Sequence, residues 1–122
     1  MFVVEQNCVF QDADNKDQYC FHLMVYKSNQ LVAYARLVPP GISYDEMSIG
    51  RVVTSKDVRG EGAGKYLMQQ AIASCNKLFG EGSIRIGAQH YLAKFYSDLG
   101  FTATGEVYDE DGIDHIQMIR YK

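Results

Sequence analysis

The chain has 122 residues, of which 47% are hydrophobic and 22% charged, and its 12 basic and 15 acidic side chains give a formal net charge of -3. This composition predicts a folded domain and excludes an intrinsically disordered chain. Because the sequence has no long basic run and no apolar stretch of membrane-spanning length, neither nucleic acid nor a membrane is an expected partner, and we expect a cytoplasmic protein.

The cysteines and histidines are too scattered to predict a metal site. Cys8, Cys20 and Cys75 fit neither a zinc clip nor a disulfide framework, so we expect reduced thiols, with Cys75 in a helix core. The three histidines are also far apart in the sequence. We therefore expect no bound metal.

The first predicted elements are a hairpin and a third strand. Apolar and polar residues alternate over Phe21–Lys27, and the apolar run Leu31–Val38 follows a turn signal at Ser28-Asn29. A proline- and glycine-containing loop then leads to Ile49–Thr54, which has the composition of a strand.

Two helices and three strands are predicted in the second half. Apolar residues at spacings of three and four predict a helix from Ala63 to Gly80, and a second helical face runs from Leu92 to Leu99. The predicted strands are Ser83–Ala88, Phe101–Tyr108 and His115–Tyr121, the last two joined by an acidic loop at residues 109–112. This element order is typical of an α/β (α+β) fold, a mixed and mostly antiparallel sheet with flanking helices.

A glycine-rich turn precedes the first predicted helix. Three glycines alternate over residues 60–64, where unpaired N–H groups and the positive end of a helix dipole favour an anion, and Arg59 or Lys65 can add a counter-charge. The turn is not a Walker A loop, because Arg59 and Tyr66 stand where that loop needs glycine and a hydroxyl residue. It is not a dinucleotide fingerprint either, because Lys65 replaces the third glycine.

The same turn resembles the acetyl-CoA pyrophosphate loop of the GNAT superfamily of N-acetyltransferases. Its Arg-x-x-Gly-x-Gly pattern is supplied by Arg59, Gly62 and Gly64. After the next strand come Gln89 and then FY and LGF at 95–96 and 99–101, which are similar to the family's Tyr-x-x-x-Gly-Phe ending. The segments FVVEQNC, LVAYAR, IGRVV and EVYDEDGIDHIQM resemble more specifically the ElaA-like branch of the superfamily.

The start of the chain departs from the family pattern. GNAT domains usually begin with a strand and a helix ahead of the hairpin, and Met1 stands at what resembles the end of that first helix. We therefore expect a single GNAT domain over residues 1–122 that is short at its N-terminus. The missing elements would leave an unpaired strand edge that favours association, and the resemblance is compatible with a homodimer.

The resemblance implies acetyl-CoA as co-substrate. The pantetheine arm would pair with the backbone of Val52, Val53 and Thr54, and strands 49–54 and 83–88 would splay to admit the thioester. The side chains of Val52 and Val53 equally suit an apolar core. The pyrophosphate would lie on the glycine turn. The remaining cofactor-binding candidates are Arg59, Gly60, Glu61, Gly62, Ala63, Gly64, Lys65, Gln89 and Tyr96.

The resemblance also implies acetyl transfer to a primary amine by direct attack on the thioester, which needs a general acid and a general base. Tyr96 occupies the position of the family tyrosine that meets the CoA sulfur, although it also suits packing on the apolar stripe. Candidates for the base are Glu46, Glu5 and His115, of which Glu5 and His115 are also substrate-binding candidates. Taken alone, each of the three is better explained as an ordinary residue, Glu46 and Glu5 as surface charges and His115 as a strand residue on a polar face. The acidic loop at 109–111 could attract a cationic amine by its field.

Two other functions stay open from the sequence. A GNAT-fold module could bind CoA without turnover, or the chain could be a structural or partner-binding fragment that binds no CoA. The acceptor could be a small-molecule amine or a peptide amine, and the sequence does not distinguish them.

Overall fold

A computed structural model describes residues 3–8, 20–56 and 62–122, the first of these ranges as backbone. The strands are β1 Val3–Cys8, β2 Phe21–Lys27, β3 Gln30–Val38, β4 Ser48–Thr54, β5 Ile84–Gln89, β6 Thr102–Ala103, β7 Tyr108–Glu110 and β8 Ile113–Arg120. The helices are α1 Ala63–Phe79 and α2 Ala93–Ser97, and a 3₁₀ turn at His90–Leu92 leads into α2. Neither helix in the described ranges is long and apolar enough to cross a membrane.

The first sheet contains four antiparallel strands in the order β1-β2-β3-β4. Ser28 and Asn29 connect β2 to β3 with φ angles of 53° and 65°. Positive φ at both central residues is the geometry of a type I′ turn, whose twist matches that of the flanking strands. The predicted hairpin and its turn are thus confirmed.

Strand β1 corrects the interpretation of the N-terminal residues. The family pattern placed Met1 at the end of a helix and no strand was predicted before Phe21, whereas Val3–Cys8 form a strand in register with β2, from Val3 opposite Tyr26 to Cys8 opposite Phe21. Pairing satisfies the backbone groups along the outer edge of β2. The outer edge of β2 is therefore covered by the chain itself, and among the described strands β1 is the terminal strand on this side of the sheet.

The second sheet has the order β5-β8-β6, with β7 also paired to β8. The strand predicted at Phe101–Tyr108 is interrupted, because β6 ends at Ala103 and β7 begins at Tyr108. The acidic loop is shorter than expected: the turn consists of Asp111 and Gly112, with φ of 53° and 80°. Aspartate followed by glycine suits a two-residue hairpin turn, so the preceding residues 109 and 110 are in a strand.

Helix α1 covers one face of the first sheet. Leu67, Met68, Ala71 and Cys75 are fully buried along one stripe of the helix, in a core shared with apolar residues of β2 and β3. Burial raises the pKa of the Cys75 thiol to about 12. Cys75 is therefore a core residue and not a reactive thiol, as its helical position predicted.

The two sheets meet where β4 begins and β5 begins. In the described part of the chain the strands are joined by one parallel bridge between Met47 and Ile84, with the Arg85 amide donating to the Met47 carbonyl at 2.9 Å. The Arg85 guanidinium also binds both carboxylate oxygens of Glu46, at 3.0 and 3.1 Å. A bidentate ion pair therefore links the two strands at the junction from which they diverge.

The Glu46→Gln variant should lose stability in a pH-dependent way. Hydrogen bonds from Arg85 hold the pKa of Glu46 below its ordinary value of 4.5. The stabilisation is therefore present above that ordinary value and disappears as the pH falls through the lowered pKa. We expect a loss of about 1 kcal/mol at pH 7, typical of a partly exposed pair, measured by urea unfolding from pH 7 to pH 3.

Glu106→Gln is the matched control, because Glu106 is exposed in the segment between β6 and β7. The control should unfold like the wild type at every pH. A loss in Glu46→Gln that keeps its size down to pH 3 would contradict the ion pair as its cause.

Candidate active site

The strands β4 and β5 diverge beyond the Met47–Ile84 bridge and leave a cleft between the two sheets. A cavity of about 330 Å³ lies in this cleft, and we call it the central cavity. Its walls come from β4, β5, α1, α2 and the β7–β8 hairpin. The residues that line the central cavity include Ile49, Gly50, Arg51, Val52, Gly87, Gln89, Tyr96, Glu110 and His115.

A β-bulge in β4 helps to form the cleft. The β3–β4 register shifts between Tyr34, which faces Val53, and Arg36, which faces Gly50, so the bulge falls at residues 51 and 52. Arg51 has a φ of 52°, a left-handed conformation that is uncommon for a residue with a side chain. Bulges of this kind often re-aim side chains next to active sites. The sequence IGRVV contains no glycine at the strained position, so no sequence signal revealed it.

A second cavity, of about 230 Å³, adjoins the central cavity near the start of α1, and we call it the helix-end cavity. Val52, Leu92 and Tyr96 line both cavities. Thr54 and Gly64 line the helix-end cavity alone. The two cavities therefore form one path from the cleft to the beginning of the helix.

The start of α1 has the features expected of an anion site. Gly62 precedes the helix in a left-handed conformation, with φ 76°, and no side chain of the described residues caps the helix. No acidic residue lies in the first turn. The N–H groups of the first turn of a helix lack partners within the helix, so they are available to a bound anion.

Of the other residues of the predicted glycine turn, only Ala63 and Lys65 are described, and neither lines the helix-end cavity. Arg59, Gly60 and Glu61 lie outside the described residues. Ala63 is buried as the first residue of α1. Lys65 is exposed and lines a separate groove on α1 rather than the helix-end cavity.

Val53 also points away from the cleft. It is 58% exposed and lines a small apolar pocket beside β3, whereas its neighbours Val52 and Thr54 face the helix-end cavity. The alternation of a strand explains this difference. β4 is the last strand of its sheet, so beyond the Met47–Ile84 bridge no described strand pairs with the edge that faces the cleft.

Tyr96 lies where the central and helix-end cavities meet. Its ring is 7% exposed and makes edge-to-face contacts with Phe95 and Phe101, at centroid distances of 5.1 and 6.0 Å. Burial, with a smaller effect of Tyr91, raises the pKa of the Tyr96 phenol above its ordinary value of 10.0. Tyr96 is therefore both a packing residue and a protonated hydroxyl at the wall of the cleft.

A third cavity, of about 260 Å³, adjoins the central cavity next to the β7–β8 hairpin, and we call it the hairpin-end cavity. Gly50, Gly87 and Glu110 line both of these cavities. The charged and phenolic side chains of Arg36, Tyr44, Arg51 and Tyr108 also line the hairpin-end cavity.

The β7–β8 hairpin brings Glu110 and His115 together. The Nδ1 atom of His115 is 2.8 Å from the carbonyl oxygen of Ile113, and a carbonyl can only accept, so Nδ1 carries a hydrogen. The other ring nitrogen, Nε2, lies 3.4 Å from a carboxylate oxygen of Glu110. His115 is buried at 8% exposure, whereas the Glu110 side chain is 60% exposed, so the pair lies at the border between the cleft and solvent.

Because Gly87 has no side chain, the hydroxyl groups of Tyr44 and Tyr108 can lie close to β5 at the hairpin-end cavity. A Cβ atom at Gly87 would lie 2.9 Å from the Tyr108 hydroxyl and 3.3 Å from the Tyr44 hydroxyl. Burial and the nearby Glu110 carboxylate raise the pKa of Tyr44, and burial raises that of Tyr108. Both phenols are therefore neutral hydrogen-bond donors above a glycine of β5.

The remaining predicted site residues are only partly brought to the cleft. Gln89 ends β5 opposite His115 and lines the central cavity. Glu46 lines none of the three cavities, because Arg85 holds its carboxylate at the junction of the sheets. Glu5 lies in β1 opposite Met24, and its side chain is outside the described residues.

Sequence reasoning missed most of the hairpin-end cavity. It considered residues 109–111 only as a loop, whereas Tyr108 and Glu110 are two residues apart in a strand and therefore share one face. The Asp-Gly pair that follows was the available signal for a tight hairpin. Arg36 and Tyr44 are far from the hairpin in sequence, so no local pattern connected them to it.

The fold and the cleft are those of an acyltransferase of the GNAT type, and the comparison with known families agrees. The family described as the acetyltransferase (GNAT) domain matches residues 3–122. This chain belongs to the GNAT acetyltransferase family.

Relatives within the family point to one branch. UPF0039 protein sll0451 from Synechocystis is 45% identical over 120 residues, which cover 98% of this chain and 78% of the relative. Protein ElaA from Escherichia coli is 41% identical over 122 residues, which cover 98% of this chain and 80% of that protein. The resemblance to the ElaA-like branch is confirmed.

Solved structures agree with this placement. An acyl-CoA N-acyltransferase from Pseudomonas aeruginosa superimposes with a TM-score of 0.80 at 38% identity, covering 88% of this chain and 73% of that one. A GNAT family acetyltransferase from Elizabethkingia anophelis with acetyl-CoA bound has a TM-score of 0.72 at 16% identity, covering 99% and 98%. At this low sequence identity, the similarity to the Elizabethkingia anophelis structure shows a shared fold.

The Gly50→Ala variant should block the passage between the central and hairpin-end cavities without harming the fold. A Cβ at Gly50 meets no atom within 4 Å, so the added methyl group projects into open space. Alanine in a strand also costs less backbone entropy than glycine. We expect an unchanged or higher melting temperature and a rate of thiol release from acetyl-CoA that is lower by about tenfold or more.

Gly105→Ala is the control, because Gly105 also has open space around a Cβ but lines none of the three cavities. It should leave the rate unchanged. If Gly50→Ala reacts at the wild-type rate, the passage is not the path between the two reactants.

Proposed function

We propose that this chain is an N-acetyltransferase that transfers an acetyl group from acetyl-CoA to a primary amine by direct attack of the amine on the thioester. In this proposal residues 1–122 act as one catalytic domain. The observation that carries the proposal is the continuous cleft, which has Tyr96 on its helix side and the Glu110–His115 pair on its hairpin side.

Acetyl-CoA fits the helix side of the cleft. The edge of β4 that faces β5 can hydrogen-bond an extended pantetheine arm, as a peptide adds to a sheet edge. The uncapped start of α1 suits the pyrophosphate, with Arg59, Gly60 and Glu61 as proposed neighbours. The structure of the Elizabethkingia anophelis enzyme with acetyl-CoA bound supports this assignment through the shared fold. Acetyl-CoA supplies an acetyl group activated as a thioester.

The amine enters from the hairpin side, where the Glu110–His115 pair can take its proton. A protonated amine is not a nucleophile, and its ordinary pKa is near 10, so a base must hold the proton as the nitrogen attacks. Because Nδ1 of His115 already carries a hydrogen, the proton goes to Nε2. The Glu110 carboxylate then accepts a hydrogen bond from the charged ring.

Tyr96 is the proposed general acid. The neutral amine nitrogen forms a bond to the carbonyl carbon while the bond from that carbon to sulfur breaks, and the departing sulfur takes the hydroxyl proton of Tyr96. The nitrogen then gives up its second proton, which restores the Tyr96 hydroxyl. The raised pKa keeps this hydroxyl protonated at neutral pH.

Binding of acetyl-CoA should depend on the charge at the start of α1. Gly64 has an ordinary φ, and a Cβ there lies 3.7 Å from the ring of Phe95, a normal contact. Gly64→Asp should stabilise the free helix through its dipole but repel the pyrophosphate. By isothermal titration we expect Gly64→Asp to weaken acetyl-CoA binding about tenfold or more, and the neutral Gly64→Ala control to bind nearly as the wild type.

Equal binding by Gly64→Asp and the wild type would show that the pyrophosphate does not lie at this helix. If the wild type binds acetyl-CoA but releases no thiol with any amine, the chain is a CoA-binding module and the catalytic proposal is wrong.

The Tyr96→Phe variant should lose catalytic turnover but still bind acetyl-CoA. We expect kcat for thiol release to fall about a hundredfold, a common contribution of a general acid, while the dissociation constant of acetyl-CoA stays the same. The measurement is a thiol-release assay with a panel of primary amines from pH 6 to pH 10.

Tyr121→Phe is the control, because this tyrosine is 65% exposed and lines none of the three cavities. Its kcat should match the wild type. A wild-type kcat in Tyr96→Phe would remove Tyr96 from the mechanism and leave it as a packing residue.

A further inference from the structure

The hairpin-end cavity has an unusual charge pattern for a site that receives an amine. Two guanidinium groups, of Arg36 and Arg51, and one carboxylate, of Glu110, line its walls. A ligand with several positive charges would meet two like charges in this space. A ligand with one amine and one anionic group would meet an opposite charge at each end.

Arg36 faces the cavity because its neighbour has no side chain. It lies opposite Gly50 in the β3–β4 register, and directly opposite residues of antiparallel strands point to the same face of the sheet. The space around a Cβ at Gly50 is open. The guanidinium of Arg36, which is half-buried, therefore borders open space instead of a packed side chain.

Arg51 borders the same space through the bulge of β4. Its left-handed backbone, with φ 52°, departs from the regular alternation of the strand, and it lines both the central and the hairpin-end cavities. Glu110 also lines both cavities, where it lies next to His115. The negative group is thus next to the proposed base. Arg36 lines the hairpin-end cavity but not the central cavity, and we call this side, away from the central cavity, the outer part of the hairpin-end cavity.

We propose that the acceptor is a small molecule that carries an anionic group, a carboxylate or a phosphate, at the end opposite its amine, with Arg36 and Arg51 as the residues that bind the anion. This inference rests on the proposed acetyl transfer. The amine points to Glu110 and His115, and the anion points to the outer part of the hairpin-end cavity.

The chemistry of the guanidinium group supports this pairing. Guanidinium presents five N–H donors in a planar fork that matches the two oxygens of a carboxylate or phosphate, so donors remain for a ligand even where the side chain contacts the protein. The Tyr44 and Tyr108 hydroxyls, placed above Gly87, add neutral donors along the same wall. A cavity of about 260 Å³ has the size of a small metabolite.

The test compares acceptors that differ only at the far end. Straight chains of two to six carbons carry a primary amine at one end and a carboxylate, a methyl or a second amine at the other, as in 4-aminobutyrate, butylamine and 1,4-diaminobutane. O-phosphoethanolamine and ethanolamine form the phosphate pair. We expect kcat/KM for the best anionic acceptor to exceed those of its neutral and cationic partners by about tenfold or more, a common effect of a hydrogen-bonded charge pair.

Arg36→Gln should remove this preference. Its KM for the anionic acceptor should rise about tenfold, with kcat, the KM for acetyl-CoA and the kinetics of the neutral acceptor unchanged. Arg36→Lys keeps the positive charge but lacks the planar set of N–H donors. Its KM for the anionic acceptor should lie between those of the wild type and Arg36→Gln. Lys77→Gln, which removes an exposed positive charge from the last turn of α1, is the matched control and should behave as the wild type.

The outcomes separate this inference from the proposed function. Equal or better use of the neutral or cationic acceptors, or an unchanged KM in Arg36→Gln, overturns the anion site while acetyl transfer stands. If no acceptor releases thiol, acetyl transfer is overturned, and ligand-observed NMR with CoA-loaded protein then decides the anion site alone. Binding of the amino carboxylates that is lost in Arg36→Gln supports the site, and absence of binding overturns it.

Discussion

The divergence of β4 and β5 is the constraint on which the rest of the site depends. The strands meet at the Met47–Ile84 bridge, where Arg85 and Glu46 close the junction, and then separate. A sheet that continued its pairing would have no cleft and no available strand edge. The bulge at Arg51 adds to the separation by bending β4. The ion pair at the junction thus has a structural role, which explains why Glu46 is absent from the cavity walls.

The two ends of the cleft differ in their electrostatics because they are built from different elements. The helix end presents the N-terminus of α1, whose positive potential comes from backbone dipoles and needs no particular side chain. The hairpin end presents charged and phenolic side chains from β3, β4, β7 and the loop before β4. Backbone groups suit a cofactor that every member of a family shares, whereas side chains can change with the acceptor.

Burial gives Tyr96 and His115 their proposed properties. Both side chains are less than one-tenth exposed, so their hydrogen bonds and charges act where water competes little. Burial keeps the Tyr96 phenol protonated. The Ile113 carbonyl selects Nδ1 as the nitrogen of His115 that carries the hydrogen, and Nε2 can donate to the Glu110 carboxylate once it has taken a proton. The tight Asp111-Gly112 turn places these groups within reach of one another.

The sequence by itself determined the elements whose signals are local. The alternation of β2 and the apolar stripe of α1 predicted the hairpin and the core helix, and the glycines before that helix together with the second motif predicted the family. The anion site at those glycines stays a prediction. The strand Val3–Cys8 was not predicted, because a short apolar segment becomes a strand only where a partner edge exists. The tertiary structure alone decided that Arg36, Gly50, Gly87 and Glu110 share one cleft and that Glu46 does not, because contacts between residues so distant in the chain leave no periodic trace in the sequence.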